Sequence, residues 1–149
     1  MGSGRGDRGK RVFEEVLGWL DGSLLITGHA GIGKSHLTRR ILAELDSRGL
    51  THVETAPTHA GAIQVGGITL HRFCHSRFSG KKIPRVEQDY LVVSEVGFCS
   101  VVLMSLLAEI RLANPGIGLF SRGTSTNSNL RWRAGTERAL PRATSRIAL

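Results

Sequence analysis

Four residues between positions 28 and 35 have the types and spacing of a phosphate-binding loop. Gly28, Gly33, Lys34 and Ser35 fit the pattern G-x-x-x-x-G-K-[ST]. Glycines permit a tight turn whose N–H groups surround phosphates, a lysine adds positive charge, and a serine hydroxyl can ligate Mg²⁺. The spacing therefore predicts a site for ATP and Mg²⁺. The predicted nucleotide-binding residues are Gly28, His29, Ala30, Gly31, Ile32, Gly33, Lys34, Ser35 and His36.

The sequence on either side of this loop predicts a strand before it and a helix after it. Leu24, Leu25 and Ile26 form a short apolar run that suits a buried parallel strand. The segment after the loop has apolar residues at the spacing of one helical face, namely Leu37, Ile41, Leu42 and Leu45. The loop would then lie at a helix N-terminus, where backbone N–H groups and the helix dipole favour a bound phosphate.

A second pair of residues, Ser94 and Glu95, ends another apolar run, "YLVV" at positions 90–93. A nucleotide hydrolase is expected to have Asp-Glu at such a place. Serine offers a neutral hydroxyl, whereas Mg²⁺ prefers anionic oxygen ligands. The pattern therefore predicts nucleotide binding with impaired hydrolysis, and Ser94 is a doubtful metal ligand.

Composition limits the class of protein. The chain has 149 residues, 40% of them hydrophobic, which suits a single domain with one core. No apolar run approaches the roughly 18 residues of a membrane span, and residues 1–10 lack the apolar region of a secretory signal. Only Cys74 and Cys99 occur, which is too few for a disulfide framework. We therefore expect an intracellular protein without a membrane segment.

His71, Cys74 and His75 lie close together, and a helix would place the two histidines on one face. A zinc site would need further ligands that the sequence does not obviously provide. We therefore interpret these three as ordinary helix residues.

Charge and pattern divide the chain near residue 112. The formal net charge is +8, of which residues 113–149 carry +5. Before Leu112, predicted strands at 51–56 and 91–94 alternate with predicted helices at 10–20 and 100–112, which indicates an α/β fold with an open parallel sheet. After Leu112, the segment is rich in Ser, Thr, Gly and Arg and shows no helical or strand periodicity.

These differences predict three parts of the chain. They are a flexible N-terminus over 1–10, an NTPase domain over 11–112 and a basic, mostly disordered tail over 113–149. A nucleic-acid-binding arm is the alternative for the tail.

The segment between the loop and Ser94 resembles a known family. Residues 56–73 follow approximately the pattern A-P-T-G-x-A-A-x-x-x-G-G-x-T-[IL]-H-x-F, and Thr27 to Ser35 match T-G-x-A-G-x-G-K-S before it. The two motifs, in this order and spacing, resemble superfamily 1 DNA helicases of the petite integration frequency (PIF) type over residues 12–112. The resemblance implies a P-loop NTPase fold with a RecA-like parallel sheet, an ATP-dependent DNA helicase activity, and single-stranded or forked DNA as partner.

The resemblance also assigns roles to individual residues. Lys34 and Glu95 would be catalytic, with Glu95 orienting or deprotonating the attacking water. Ser35 would ligate Mg²⁺, and Ser94 stands where the family has the Asp of D-E-I-S-M. The DNA-contacting residues would be Pro57, Thr58, His59, His71 and Phe73, with burial in the core as the alternative for Phe73.

Several departures limit what the resemblance implies. His59 stands where Gly is usual, no strand leading to G-D-x-x-Q-L is evident after Leu112, and no second RecA-like domain follows. We therefore expect a truncated chain that does not unwind DNA alone. A frameshifted or mis-joined tail is a hypothesis that would explain the change in composition. A degenerate, non-enzymatic domain that binds nucleotide or a partner and an unrelated P-loop kinase or switch remain alternatives. A nuclear, mitochondrial or viral setting stays open.

Overall fold

The apolar strand segments form one sheet of six parallel strands. The structure is a computed structural model that describes residues 3–18, 23–77, 85–124 and 144–148. The strands are β1 (Ser23–Gly28), β2 (His52–Ala56), β3 (Ile68–Thr69), β4 (Tyr90–Val93), β5 (Gly118–Thr124) and β6 (Thr144–Ala148). Their spatial order is β3-β2-β4-β5-β1-β6. The carboxyl ends of parallel strands meet at one edge, which is where open α/β sheets bind ligands.

In the described ranges, five helices connect and cover these strands. They are α1 (Ser3–Leu17), α2 (Lys34–Ser47), α3 (His59–Val65), α4 (Leu70–Arg77) and α5 (Val101–Ala113), with a short 3₁₀ turn at Val96–Phe98. The predicted α/β fold with a parallel sheet and flanking helices is confirmed.

The sheet has a hydrophobic core on each face. On one face, Ile26 of β1 packs with Ile41 of α2 and Val16 of α1, all of them fully buried. On the other face, Leu91 of β4 packs with Leu103 of α5 and its neighbours. Helices on both faces explain why the strands read as continuous apolar runs. The four predicted core positions of α2 are all buried, namely Leu37, Ile41, Leu42 and Leu45.

The N-terminal helix is longer than the sequence predicted. It begins at Ser3, within the segment 1–10 that was expected to be flexible. Its later turns are anchored, because Val16 is buried and Phe13 packs against the core. A helix that is nucleated at such an anchored segment propagates at low cost into the preceding residues.

β5 corrects the predicted domain boundary at Leu112. This strand lies between β4 and β1, where Leu119 pairs with Leu91 on one side and Ser23 on the other. The folded domain therefore extends at least to Thr124. The sequence did not reveal the strand because its apolar run is short and its burial comes from partners far away in the chain. The remainder of the predicted tail lies outside the described residues, apart from β6, which pairs with β1.

The structure also bears on membrane and zinc binding. Within the described ranges, no helix has the length and apolar character needed to cross a membrane. The described residues also contain no group of three or more His, Cys, Asp or Glu that could hold a metal ion. His71 and His75 are exposed on α4, whereas Cys74 is buried in the core.

Candidate nucleotide-binding site

The loop between β1 and α2 has the backbone shape of an anion site. Gly31 and Gly33 adopt φ angles of 79° and 94°, a left-handed conformation that residues with a side chain rarely adopt. Gly33 is the N-cap of α2, so the free N–H groups of the first helical turn face the loop. This arrangement favours a phosphate at the helix N-terminus.

Lys34 folds back over this loop. Its Nζ donates hydrogen bonds to the carbonyl oxygens of Gly28, at 2.7 Å, and of His29. Partial burial and, secondarily, the positive charge of Arg122 lower the pKa of Lys34. Two cations therefore lie close enough to repel each other, and an anion bound between them would relieve this repulsion.

Arg122, near the end of β5, connects the loop with the end of β4. Its Nη1 donates to Ser35 Oγ at 2.8 Å, and its Nε donates to Ser94 Oγ at 3.0 Å. Burial lowers the pKa of Arg122, an effect that the carboxylates of Glu54 and Glu95 oppose. The guanidinium thus lies between the two serines that the sequence assigned to metal binding.

Glu95, the second residue after β4, has an uncommon backbone conformation. Its φ of 55° and ψ of 42° are left-handed, and it is the only residue other than glycine with positive φ in the described part of the chain. Such a conformation costs energy, and it is found preferentially where a side chain has a functional position. Its Oε2 would be 3.1 Å from a Cβ added at Gly61, so the small residue in α3 makes room for the carboxylate.

These elements enclose a cleft of about 390 Å³ at the carboxyl edge of the sheet. The cleft is lined by Ala30, Gly31, Gly33, Lys34, Ser35, Gln64, Glu95, Arg122, Gly123 and Thr124. It therefore brings together both predicted catalytic residues and most of the predicted loop. The other predicted loop residues, which are not part of this lining, are Gly28, His29, Ile32 and His36.

Comparison with known proteins identifies the family. Residues 8–104 match the sequence model of the PIF1-like helicases. The chain belongs to the PIF1-like helicase family. The resemblance seen in the sequence motifs is thereby confirmed.

Relatives of this PIF1-like helicase chain are much longer than the matched segment. The human ATP-dependent DNA helicase PIF1 is 49% identical over 51 residues, which are 34% of this chain and 8% of the human protein. The crystal structure of Pif1 helicase from Candida albicans superposes with a TM-score of 0.64 at 23% identity, covering 100% of this chain and 40% of that one. Bacteroides sp Pif1 in complex with ADP-AlF4 gives a TM-score of 0.58 at 15% identity, covering 85% and 34%. These two structural matches support the fold.

A strand follows α5, but the family motif expected at this point is absent. The PIF-type pattern has a strand leading to G-D-x-x-Q-L here. β5 ends in Gly123-Thr124, and the residues from Gly123 onward read G-T-S-T-N-S, so only the glycine of that motif recurs. The strand itself was not predicted, whereas the absence of G-D-x-x-Q-L agrees with the sequence analysis.

The residues at the cleft do not fit the Mg²⁺ that a PIF1-like P-loop implies. Ser35 accepts a hydrogen bond from Arg122, and Ser94 provides a second neutral hydroxyl to the same guanidinium. A divalent cation bound to Ser35 would lie beside this positive charge, and neither serine supplies the anionic oxygen that Mg²⁺ prefers. This arrangement does not favour the predicted role of Ser35 as a Mg²⁺ ligand, and it agrees with the expectation that Ser94 is a doubtful one.

The predicted DNA-contacting residues divide into two groups. Thr58 and His59 are exposed after the carboxyl end of β2, with half-buried Pro57 beside them, and His71 is exposed just after β3. These four lie along the edge that holds the cleft. Phe73 is 1% exposed and belongs to the core, so its ring cannot stack on a base, and its assignment as a DNA contact is corrected.

Sequence reasoning missed four residues that line the cleft, Gln64, Arg122, Gly123 and Thr124. The last three lie on β5, which was assigned to the tail. The signal that could have revealed them is the run Ile117–Phe120, because a short apolar run that follows a helix in an α/β pattern is typical of a buried strand.

Proposed function

We propose that this chain is an ATP-binding domain of a PIF1-like DNA helicase that retains nucleotide binding and hydrolyses ATP slowly. The observation that carries the proposal is one cleft that contains Lys34, the glycine loop and Glu95 at the carboxyl edge of the sheet. The loop supplies backbone N–H groups and Lys34 supplies charge, which is sufficient chemistry for binding a triphosphate.

Glu95 is the proposed general base. Its carboxylate lines the cleft, where it can orient or deprotonate a water molecule. Hydrolysis is expected to be slow because Ser94 lacks the carboxylate that PIF1-like helicases have at this position. Loss of such a partner lowers activity about 10- to 100-fold in other sites. The human relative is named an ATP-dependent DNA helicase, and the Bacteroides relative was crystallised with ADP-AlF4.

The proposed partner is single-stranded or forked DNA. The proposed setting is intracellular, in a nucleus or a mitochondrion, with a viral origin as the alternative. Thr58, His59 and His71 are exposed on the edge that holds the cleft, where they can contact a strand. DNA bound there would lie close to the nucleotide, so that each ligand could influence the affinity for the other.

A second candidate function is that of a non-enzymatic nucleotide-binding domain. A specific observation favours it, since Arg122 contacts both Ser35 and Ser94. In that case the domain binds ATP without measurable turnover, and DNA does not stimulate hydrolysis.

The first experiment measures ATP affinity by isothermal titration calorimetry, and phosphate release with and without single-stranded DNA. Lys34→Ala should weaken ATP binding about tenfold or more, since it removes a charge-assisted contact to phosphate. Lys10→Ala is the matched control, because Lys10 is exposed on α1 and lies outside the lining of the cleft. If the wild type binds no ATP, or if both variants bind equally well, the proposal fails. Slow turnover stimulated by DNA supports the first candidate, and binding without turnover supports the second.

The DNA contact is tested by fluorescence anisotropy with a labelled single strand. We expect the double variant His59→Ala, His71→Ala to bind DNA more weakly than the wild type. His75→Ala is the control, because this residue is also exposed on α4 but was not assigned a DNA contact. Equal losses in the double variant and the control would contradict the assignment of this edge.

A further inference from the structure

The position beside Ser35 receives a positive charge from within the chain. We propose that the guanidinium of Arg122 takes the place of the divalent cation in this site, so that the chain binds a nucleoside triphosphate without Mg²⁺. The inference rests on the proposed function, because it assumes that ATP binds on the loop of residues 28–35.

The contacts of Arg122 define its position. Nη1 is 2.8 Å from Ser35 Oγ, and Nε is 3.0 Å from Ser94 Oγ. The two hydroxyls belong to the first turn of α2 and to the residue after β4, which the resemblance assigned to metal binding. A guanidinium is planar and has donors on several edges, so it can hold both serines and still present N–H groups to a phosphate. Arg122 itself lines the cleft, so its guanidinium is within reach of a ligand bound there.

The charges around the cleft agree with this interpretation. Among the lining residues, Lys34 and Arg122 are cations, whereas Glu95 is the only carboxylate. Ser94 has a hydroxyl where the family pattern has Asp. The site therefore has one carboxylate fewer than the family pattern, and its lining contains two cations. A metal-free triphosphate carries more negative charge than its Mg²⁺ complex, so it is the better electrostatic match.

Two other charged groups near Arg122 do not alter this conclusion. Glu54 and Arg39 both affect Arg122 electrostatically, with opposite signs. Burial raises the pKa of Glu54. Neither residue lines the cleft, so the ligand meets Arg122 and Lys34 directly.

The test is ATP affinity, measured by calorimetry on the full chain in EDTA and in MgCl₂. The wild type should bind ATP in EDTA with a Kd within about threefold of its value in MgCl₂. Arg122→Gln should weaken binding in EDTA about 10- to 100-fold, because a charged hydrogen-bond donor to phosphate is lost. Arg39→Gln also removes one positive charge, but from a side chain that holds neither serine. It should change the Kd for ATP in EDTA by less than about threefold.

Several results would overturn the inference. If the wild type binds ATP only in MgCl₂, this result alone contradicts the inference, and the proposed function remains intact. Unchanged affinity of Arg122→Gln in EDTA, or an equal loss in Arg39→Gln, also contradicts it, since the effect would then not depend on this position. If Arg122→Gln does not fold by circular dichroism, Arg122→Lys is used, and it should show a smaller loss because it keeps the charge but not the planar fork. Absence of binding in both buffers would overturn the proposed function and this inference together.

Discussion

Replacing Ser94 with aspartate places a carboxylate directly against Arg122. Ser94 is 1% exposed, and its Oγ is 3.0 Å from Arg122 Nε, so the new side chain must pair with the guanidinium. For charges about 4 Å apart at an effective dielectric constant of about 20, the attraction is about 4 kcal/mol. Desolvation of the carboxylate offsets much of this gain. We therefore expect Ser94→Asp alone to change the free energy of unfolding by less than about 1 kcal/mol.

The same substitution should be far more harmful when Arg122 is absent. In Arg122→Gln, the new carboxylate would be buried without its partner, and such a charge costs about 3 to 5 kcal/mol. The expected coupling energy between the two positions is thus about 2 to 4 kcal/mol.

The assay for this coupling is urea denaturation of the wild type, both single variants and the double variant, at pH 7 without metal. Arg39→Gln combined with Ser94→Asp serves as the control and should be additive, because Arg39 has no hydrogen bond to Ser94 among the described contacts. Additivity of the Arg122 and Ser94 substitutions within about 0.5 kcal/mol would refute the reasoning. It would mean that the guanidinium does not hold the position assigned to it.

Two further predictions concern the central strand and the buried thiols. Gly118→Ala should destabilise the fold by about 1 to 3 kcal/mol in thermal unfolding, because an added Cβ would lie 2.3 Å from the ring of Tyr90. Gly116→Ala has no atom within 4 Å of the added Cβ and should be near neutral; equal effects would argue against β5 as described. Burial raises the pKa of Cys74 to about 11 from 9.0, so the folded state keeps this thiol protonated at a pH where the unfolded state loses the proton. The contribution of Cys74 to the free energy of unfolding is therefore complete below pH 9 and is lost as the pH rises towards 11. Between these values, stability should fall more steeply in the wild type than in Cys74→Ala; parallel pH profiles would contradict this.

Local patterns in the sequence predicted three of the six described strands, namely β1, β2 and β4. The α2 positions Ile41 and Leu45 follow a helical period, and their burial depends only on that period and on an adjacent apolar strand. The loop residue Gly33 was predicted from the motif spacing, and its left-handed φ confirms why glycine is needed there. Such features are encoded within a few neighbouring residues.

The features that the sequence did not reveal depend on distant contacts. Arg122 has no motif of its own, and its role follows from two serines at positions 35 and 94 that only the fold brings together. Phe73 matched a family pattern, but the pattern could not distinguish an aromatic face for DNA from a core side chain. The Gly66-Gly67 pair had no assigned role. A Cβ at Gly67 would lie 2.1 Å from the carbonyl oxygen of Glu54, so close packing of β3 on β2 explains this glycine.

The central position of β5 has a consequence for how the chain folds during synthesis. β1 and β4 are not neighbours in the sheet, and β5 alone joins the half formed by β3, β2 and β4 to β1. Ser121 contacts Leu24 across 97 positions of sequence, so this junction forms only after nearly the whole described chain has been made. Until residue 124 leaves the ribosome, the nascent chain has the lone strand β1 and a separate group formed by β3, β2 and β4, each with unpaired edges. The nascent protein is therefore most prone to aggregate after β4 has emerged and before β5 follows it.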